Sequence, residues 1–227
     1  MHRFAPEVLR LYLVTDHALC GARDLLHIVA DAVRGGVTCV QLREKTKNTR
    51  DFVAQAQALK RLLAPLHIPL VINDRIDIAL ACQADGIHLG QSDMPVQYAR
   101  RLLPDHVFIG WSVENLTHVK EASALPVDYL GVSPVFATPT KTDTAPAWGL
   151  SGLAKVRATT SLPLVAIGGI HTGNATEVLR AGADGLAIVS AIMSATDTTQ
   201  AATDFSHIVQ SHFQSQSASK FQQGRAT

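Results

Sequence analysis

Short apolar runs and longer amphipathic stretches alternate along the chain. The apolar runs contain many β-branched residues and lack strict alternation of apolar and polar positions. There are eight of them, at residues 11–14, 39–42, 70–72, 86–89, 108–111, 129–132, 164–167 and 185–189. Strands that are covered on both faces show this pattern, so we predict eight buried strands.

The stretches that separate the runs have the apolar spacing of helices. They lie at residues 24–34, 49–64, 76–83, 95–103, 115–125, 150–159, 173–181 and 198–213. Asn115 and Asn174 stand where helix N-caps are expected. Strands and helices that alternate with short connections give parallel strands with right-handed crossovers, and eight such units close into a (β/α)8 TIM barrel. A doubly wound open sheet is the alternative fold, although it usually has fewer strands.

The composition fits one α/β domain with a large core. Of 227 residues, 47% are hydrophobic and 17% are charged, which excludes a disordered or coiled-coil chain. We expect an N-terminal segment at residues 1–10, the barrel at 11–213, and a polar, mobile tail at 214–227. Cys20, Cys39 and Cys82 form no CxxC pair. We therefore predict reduced core cysteines rather than disulfides or a zinc site.

The charge balance limits the classes of partner. Twenty Lys and Arg against nineteen Asp and Glu give a net charge of +1, which provides no overall field to hold nucleic acid or an anionic membrane. The N-terminus lacks the apolar core of a signal peptide, and no apolar run reaches the roughly 18 residues of a membrane helix. We expect a cytoplasmic protein that acts on small molecules. Apolar faces on the outer helices would permit a homo-oligomer.

Polar residues follow the predicted strands at the end where barrels of this class carry their chemistry. Gln41, Arg43 and Lys45 alternate at the end of the second strand, so their side chains would project to one side. Cations and an amide on one side suit an oxyanion such as phosphate or diphosphate. A solvated charged loop is the alternative interpretation. Ser112 follows the fifth strand and adds a hydroxyl.

Two carboxylates follow adjacent strands. Asn73 and Asp74 end the third strand, and Asp93 follows the fourth. Because neighbouring strands stand about 5 Å apart, the carboxylates can converge. Mg²⁺ accepts few protein carboxylates and completes its octahedron with water and substrate phosphate. We predict a Mg²⁺ site here, the alternative for Asp93 being an N-cap of the helix that Pro95 begins.

A second anion site is predicted at the last three strand ends, where barrels commonly bind phosphate. Hydroxyls, backbone N–H groups and a lysine suit such a ligand. The candidates are Thr138, Thr140, Lys141, Gly169, Val189 and Ser190. The Thr- and Pro-rich loop at 133–142 is alternatively only a connection. His88 lies inside the fourth strand, and we interpret it as a core or lining residue.

Seven motifs in order resemble the thiamine-phosphate synthase family over roughly residues 11–195. They are QLREK (41–45), ND (73–74), HLGQSD (88–93), GWS (110–112), SPVFATPTKT (133–142), AIGGI (166–170) and IVSAI (188–192). The resemblance implies a (β/α)8 transferase. Its reaction joins 4-amino-5-hydroxymethyl-2-methylpyrimidine diphosphate to a thiazole phosphate, which gives thiamine phosphate and pyrophosphate.

The resemblance also implies roles for individual residues. The pyrimidine diphosphate would be held by Gln41, Arg43, Lys45, Asn73, Ser112 and Lys141, of which Arg43, Lys45, Ser112 and Lys141 would be catalytic. Mg²⁺ would be bound by Asp74 and Asp93. The thiazole phosphate would be held by Thr138, Thr140, Gly169, Val189 and Ser190. The loop departs from the family pattern at Ser133 and Ala137, where glycine and proline are usual. A thiazole tautomerase on the same barrel and a non-catalytic phosphate-ligand sensor are the alternatives. The retained diphosphate residues argue against the tautomerase.

Overall fold

Eight parallel strands close into a barrel in the computed structural model, which describes residues 5–137 and 146–223, with side chains described up to residue 216. The strands are β1 Leu11–Val14, β2 Cys39–Leu42, β3 Leu70–Asn73, β4 Gly86–Leu89, β5 Phe108–Val113, β6 Tyr129–Val132, β7 Leu164–Ile167 and β8 Gly185–Ile188. They follow one another in sequence order, and β1 pairs with β8. The predicted TIM barrel is confirmed, and the open-sheet alternative is wrong because that last pairing closes the sheet.

Helices cover the outside of the barrel. They are α1 Leu25–Arg34, α2 Thr49–Leu63, α3 Ile76–Cys82, α4 Val96–Leu102, α5 Leu116–Glu121, α6 Gly149–Thr159, α7 Ala175–Arg180, α8 Ser190–Met193 and α9 Thr198–Gln223. Asn115 caps α5 as predicted, because its Oδ1 accepts the His118 N–H at 3.0 Å. Among these described helices, none is both long enough and apolar enough to cross a membrane.

Two helix predictions need correction. The four-residue helix α8 was not predicted, because so short a segment carries no periodic pattern. The last helix was predicted to end at Phe213, but α9 continues to Gln223. The polar composition of residues 214–223 hid this extension, since a helix needs no apolar face where it extends past the core. Mobility of the tail stays a prediction.

The core has two parts, one on each face of the sheet. A large cluster lies between the strands and the helices, and a smaller one fills the barrel with Tyr12, Phe108 and Tyr129. Gly110 makes room for the Tyr129 ring, because a Cβ at residue 110 would lie 2.0 Å from Tyr129 Cζ. All three cysteines are buried and unpaired. The prediction that the cysteines pack in the core is confirmed, and burial raises the pKa of the Cys82 thiol to about 11.

A repeated contact organises the amino-terminal end of the barrel. A side chain just before each even-numbered strand accepts a backbone N–H from the first or second residue of the preceding odd-numbered strand. These pairs are Thr38 with Leu11 at 2.9 Å, and Asp85 with Leu70, Asp128 with Ile109 and Asp184 with Leu164, each at 2.8 Å. Lys60 and Arg157 neutralise two of the carboxylates. This end of the barrel therefore serves stability.

Asp184→Ala is expected to lower the free energy of unfolding by about 1–3 kcal/mol, since the Leu164 N–H loses its acceptor and Arg157 loses its carboxylate partner. Denaturant unfolding measures this change. Asp204→Ala, at an exposed position on α9, is the matched control and should change stability little. Equal stabilities of the two variants would contradict the structural role of Asp184.

Candidate active site

Two adjoining cavities open at the carboxyl ends of the strands. The first cavity has a volume of about 440 Å³ and lies over the centre of the barrel, with its polar wall at the ends of β2 to β5. The second has a volume of about 720 Å³ and lies beside β7 and β8. Their walls share five residues: Val14, Arg43, Ser133, Ile167 and Ala187. The two cavities therefore form one mouth.

The structure brings most of the predicted site residues together. The first cavity is lined by Gln41, Arg43, Lys45, Asn73, Asp74, Asp93 and Ser112. The second is lined by Arg43, Gly169, Val189 and Ser190. Thr138, Thr140 and Lys141 lie outside the described residues. Arg43 and Lys45 both line a cavity next to the buried Gln41, although Lys45 itself is exposed, so their role in binding an anion stays a prediction.

Arg43 lies where the cavities join. It follows β2 directly, and its backbone N–H donates to Thr15 Oγ1 at 3.1 Å. Its guanidinium Nη1 is 3.4 Å from Asp16 Oδ2, and both side chains are mostly covered. The ion pair orients the guanidinium and leaves its other N–H groups for a ligand in either cavity.

Glu44 fixes the loop that carries Arg43 and Lys45, and the sequence analysis missed this role. Its buried Oε1 accepts the backbone N–H of Lys45 at 2.8 Å and of Thr46 at 2.9 Å, together with the Thr46 hydroxyl at 3.0 Å. Burial alone would raise the pKa of this carboxyl, but the donors of Thr46 and Lys47 outweigh burial and lower it. An acidic residue before a Thr-containing turn was the available signal.

The carboxyls of Asp74 and Asp93 lie side by side. Burial raises the pKa of Asp93, and the neighbouring Asp74 carboxyl raises it further. Asp93 Oδ2 accepts the Gly90 N–H at 2.6 Å, while Lys45 Nζ contacts Asp74 Oδ2. The N-cap alternative for Asp93 is wrong, because Pro95 occupies the cap position of α4.

This carboxyl pair fits a divalent cation. Two carboxylates held side by side repel each other, and a cation between them offsets that repulsion. The Lys45 ammonium, which contacts Asp74, already supplies part of this positive charge. Within residues 5–137 and 146–223, no group of three or more His, Cys, Asp or Glu side chains could hold a metal. Mg²⁺ is the cation that needs few protein ligands, since water and substrate phosphate complete its octahedron. The donor set therefore suits Mg²⁺ better than zinc or calcium.

A layer of hydrogen-bonded side chains forms the floor of the first cavity. It runs from Gln41 through Tyr12, Tyr129 and His88 to Ser112. His88 lines the cavity, so its interpretation as a core or lining residue is confirmed. Tyr12 and Tyr129 were missed, because a tyrosine within an apolar run looks like any other core residue. A polar tip on a buried aromatic needs a partner, and that requirement was the available signal.

The second cavity is bounded by a glycine turn after β7. Gly168 and Gly169 have φ of 101° and 65°, a region that favours glycine. A Cβ at residue 169 would also lie 2.7 Å from Phe136 Cβ. Asn174 does not cap α7 with its side chain as predicted; its Nδ2 donates to Gly169 O at 3.0 Å. The turn therefore lies against Phe136 on one side and accepts a hydrogen bond from Asn174 on the other.

Arg23 connects the loop after β1 to the carboxyl end of α8. Its guanidinium donates to Met193 O, to Ala195 O at 2.8 Å and to Thr198 Oγ1 at 3.2 Å. An arginine suits the carbonyls at a helix carboxyl end. Helix α8 begins at Ser190, so Arg23 steadies one wall of the second cavity. The sequence analysis did not identify this residue, whose partners lie about 170 positions away along the chain.

Comparison with known proteins gives consistent relatives. A sequence model of the family described as thiamine monophosphate synthase matches residues 11–192. The chain is 70% identical to the thiamine-phosphate synthase of Albidiferax ferrireducens over 201 residues, which is 88% of this chain and 92% of the relative. It is 51% identical to that of Vibrio parahaemolyticus over 193 residues, which is 85% and 94% of the two chains.

Solved structures extend the comparison. The thiamine phosphate pyrophosphorylase of Pyrococcus furiosus matches with a TM-score of 0.84 and 38% identity, covering 91% of this chain and 98% of that one. The 3-hexulose-6-phosphate synthase of Salmonella typhimurium matches with a TM-score of 0.67 and 18% identity, over 89% and 99% of the chains, and shows the fold alone. The family match, the identities and the barrel agree. The chain belongs to the thiamine monophosphate synthase family.

Proposed function

We propose that this chain is a thiamine-phosphate synthase, a transferase that moves a pyrimidinylmethyl group from diphosphate to a thiazole phosphate. The observation that carries the proposal is the single mouth in which Arg43 joins two cavities. One cavity holds the acidic pair and Lys45, and the other is bounded by a glycine turn. Two phosphorylated substrates that must meet need such an arrangement.

The first cavity suits the pyrimidine diphosphate. The C–O bond to the diphosphate breaks while the aminopyrimidine delocalises the developing positive charge, so no protein nucleophile is required. The enzyme must stabilise negative charge on the departing diphosphate. Arg43, Lys45 and Ser112 would donate to it, with Lys141 from the loop outside the described residues. Gln41 and Asn73 would orient the substrate.

Asp74 and Asp93 would hold Mg²⁺ beside the diphosphate. When bound, the ion supplies positive charge to the departing oxygens. Lys45, which contacts Asp74 in this structure, would turn to the diphosphate. The raised pKa of Asp93 follows from burial and from the nearby Asp74, and a cation would favour the ionised form of Asp93.

The second cavity suits the thiazole phosphate. Gly169, Val189 and Ser190 line it, and Thr138 and Thr140 would add hydroxyls. Helix α8 is the kind of short extra helix that barrels place near a phosphate after the last strand. A thiazole held here would face the first cavity across Arg43, where its ring nitrogen can capture the cation.

Omission of each substrate in turn tests the proposal. With Mg²⁺, pyrophosphate and thiamine phosphate should appear only when both the pyrimidine diphosphate and the thiazole phosphate are present. Conversion of the thiazole phosphate alone, without metal, would instead identify a tautomerase. Binding of either phosphate without any conversion would identify a sensor. Either result would overturn the proposed function.

Three further predictions from the sequence accompany this proposal. The chain is expected to act in the cytoplasm, on small molecules and without nucleic-acid or membrane partners. Mobility of the tail is expected for residues 214–223 at the end of α9, while residues 224–227 lie outside the described residues. Self-association through the outer helices is compatible with the apolar side chains exposed on α3 and α4, which are Leu80, Tyr98 and Leu102.

A further inference from the structure

The segment after the glycine turn carries an imidazole that the proposed reaction leaves without a role. His171 lines the second cavity and lies outside the wall of the first. Among the described residues in the wall of the second cavity, Arg43 is the one lysine or arginine, and Asp16, 3.4 Å from its guanidinium, offsets part of its charge. A phosphate bound in this cavity therefore needs donors besides Arg43.

The backbone around His171 is fixed by its neighbours. Asn174 Oδ1 accepts the His171 N–H at 2.9 Å. The His171 carbonyl accepts the backbone N–H of Asn174 at 3.1 Å and that of Ala175 at 3.0 Å. The Asn174 side chain also donates to Gly169 O at 3.0 Å, which ties this segment to the glycine turn. Because the segment is already ordered, a ligand that contacts His171 loses little affinity to the ordering of the loop.

A backbone donor orients the His171 ring. The Gly173 N–H donates to His171 Nδ1 at 3.2 Å. Since a backbone N–H can only donate, Nδ1 is the acceptor, and the ring proton of the neutral imidazole lies on Nε2. Within the part of the chain that the structure describes, His171 Nε2 has no hydrogen-bond partner. The ring therefore keeps one N–H group that can donate to a ligand.

We propose that His171 binds the phosphate of the ligand in the second cavity, to which its Nε2–H donates. The residue lies two positions after Gly169, at the strand end where barrels commonly bind phosphate. The neutral ring donates to a phosphate oxygen while Nδ1 keeps its bond to Gly173. That the ligand is the thiazole phosphate rests on the proposed function. His171 then binds this substrate and takes no part in breaking the bond to the diphosphate over the first cavity.

Steady-state kinetics with each substrate varied tests this role. His171→Ala should raise KM for the thiazole phosphate about 10-fold and leave kcat and the KM for the pyrimidine diphosphate unchanged, because the donor holds the phosphate equally before and during bond breaking. His171→Gln should recover part of the affinity, since its amide can also donate. His207→Ala, at an exposed position on α9, is the matched control. An unchanged KM, a loss confined to kcat, or an equal rise of both KM values would overturn the proposal.

A second variant moves the ring without replacing it. A Cβ at residue 173 would lie 3.1 Å from His171 Nδ1, so Gly173→Ala displaces the imidazole. This variant should raise KM for the thiazole phosphate less than His171→Ala does. The double variant should match His171→Ala within about twofold, because the displaced ring is then absent. Multiplying losses would contradict an effect of Gly173 through the His171 ring.

Calorimetric titration of the full-length protein separates this inference from the proposed function. The probes are the thiazole phosphate and the same thiazole alcohol without its phosphate. His171→Ala should weaken binding of the phosphate about 10-fold and leave binding of the alcohol unchanged. Equal weakening of both would place the imidazole against the thiazole ring and overturn the proposal.

The two functions can fail separately. If the omission assay fails while the titration gives the expected difference, the chain is not a synthase, yet His171 still holds a phosphate. If the assay succeeds while the parent and His171→Ala bind the thiazole phosphate equally, the activity stands and the role of His171 is wrong.

Discussion

Replacing Arg43 by methionine is expected to lower kcat/KM for thiamine phosphate formation by about 10²–10³-fold. The guanidinium is held by Asp16 at the junction of both cavities, so its loss removes positive charge from the departing diphosphate. Arg43→Lys should recover only part of the rate, because an ammonium cannot replace the planar fork that donates to Asp16 and to a ligand together. Steady-state kinetics with each substrate varied measures the loss.

Arg34→Met is the matched control for Arg43→Met. Arg34 lies at the exposed end of α1 and pairs only with its helix neighbour Asp31 among the ion pairs of the described residues. Such surface pairs contribute little to stability, and the site lies elsewhere. Its rate should stay that of the parent. A rate for Arg43→Met close to that of the control would refute the role of Arg43 in the reaction.

Asp93→Asn is expected to reduce the Mg²⁺-dependent rate by about 10²–10³-fold and, at neutral pH, to raise the melting temperature of the metal-free protein. The rate falls because one of two carboxylates is lost. Stability rises because the ionised Asp93 is buried beside Asp74, and asparagine removes that repulsion while still accepting the Gly90 N–H. Mg²⁺ should raise the melting temperature of the parent more than that of the variant.

The stability gain of Asp93→Asn should depend on pH. The pKa of Asp93 is higher in the folded state than in the unfolded state, where it is about 4. The protonated carboxyl therefore stabilises the fold below about pH 4, and this stabilisation is lost as the pH rises through the pKa of the folded state. The gap between variant and parent should therefore narrow from pH 7 toward pH 4. Asp105→Asn, at an exposed position, should show no such gap. A destabilised Asp93→Asn, or Mg²⁺ titrations equal to those of the parent, would count against the acidic pair as a metal site.

The sequence predicted the barrel well because a strand covered on both faces leaves a short apolar run that is readable without tertiary information. The sequence predicted the ends of the strands less accurately. Asn73 and Ser112 belong to β3 and β5 rather than to the following loops, since each pairs with a residue of the next strand. Local sequence does not reveal such pairing, which depends on where the neighbouring strand ends.

The candidate site could be predicted only in part. Gln41 lies at the end of an apolar run and Arg43 and Asp74 follow such runs, so their position along the chain already places them at the mouth. Arg23 and Tyr129 act through partners more than 100 residues away, with Arg23 bound to Met193 and Tyr129 to Tyr12. Contacts of that range leave no local pattern, and only the closed sheet brings them together.

The sequence alone determined the number of strands, their order and the residues at their carboxyl ends, because periodicity and chain order are local properties. Tertiary structure decided which of those residues share a cavity and which side chains link Gln41 to Ser112 across the barrel. It also decided that the pKa of Asp93 is raised. These features depend on burial and on distances between strands, and both arise only when β8 closes against β1.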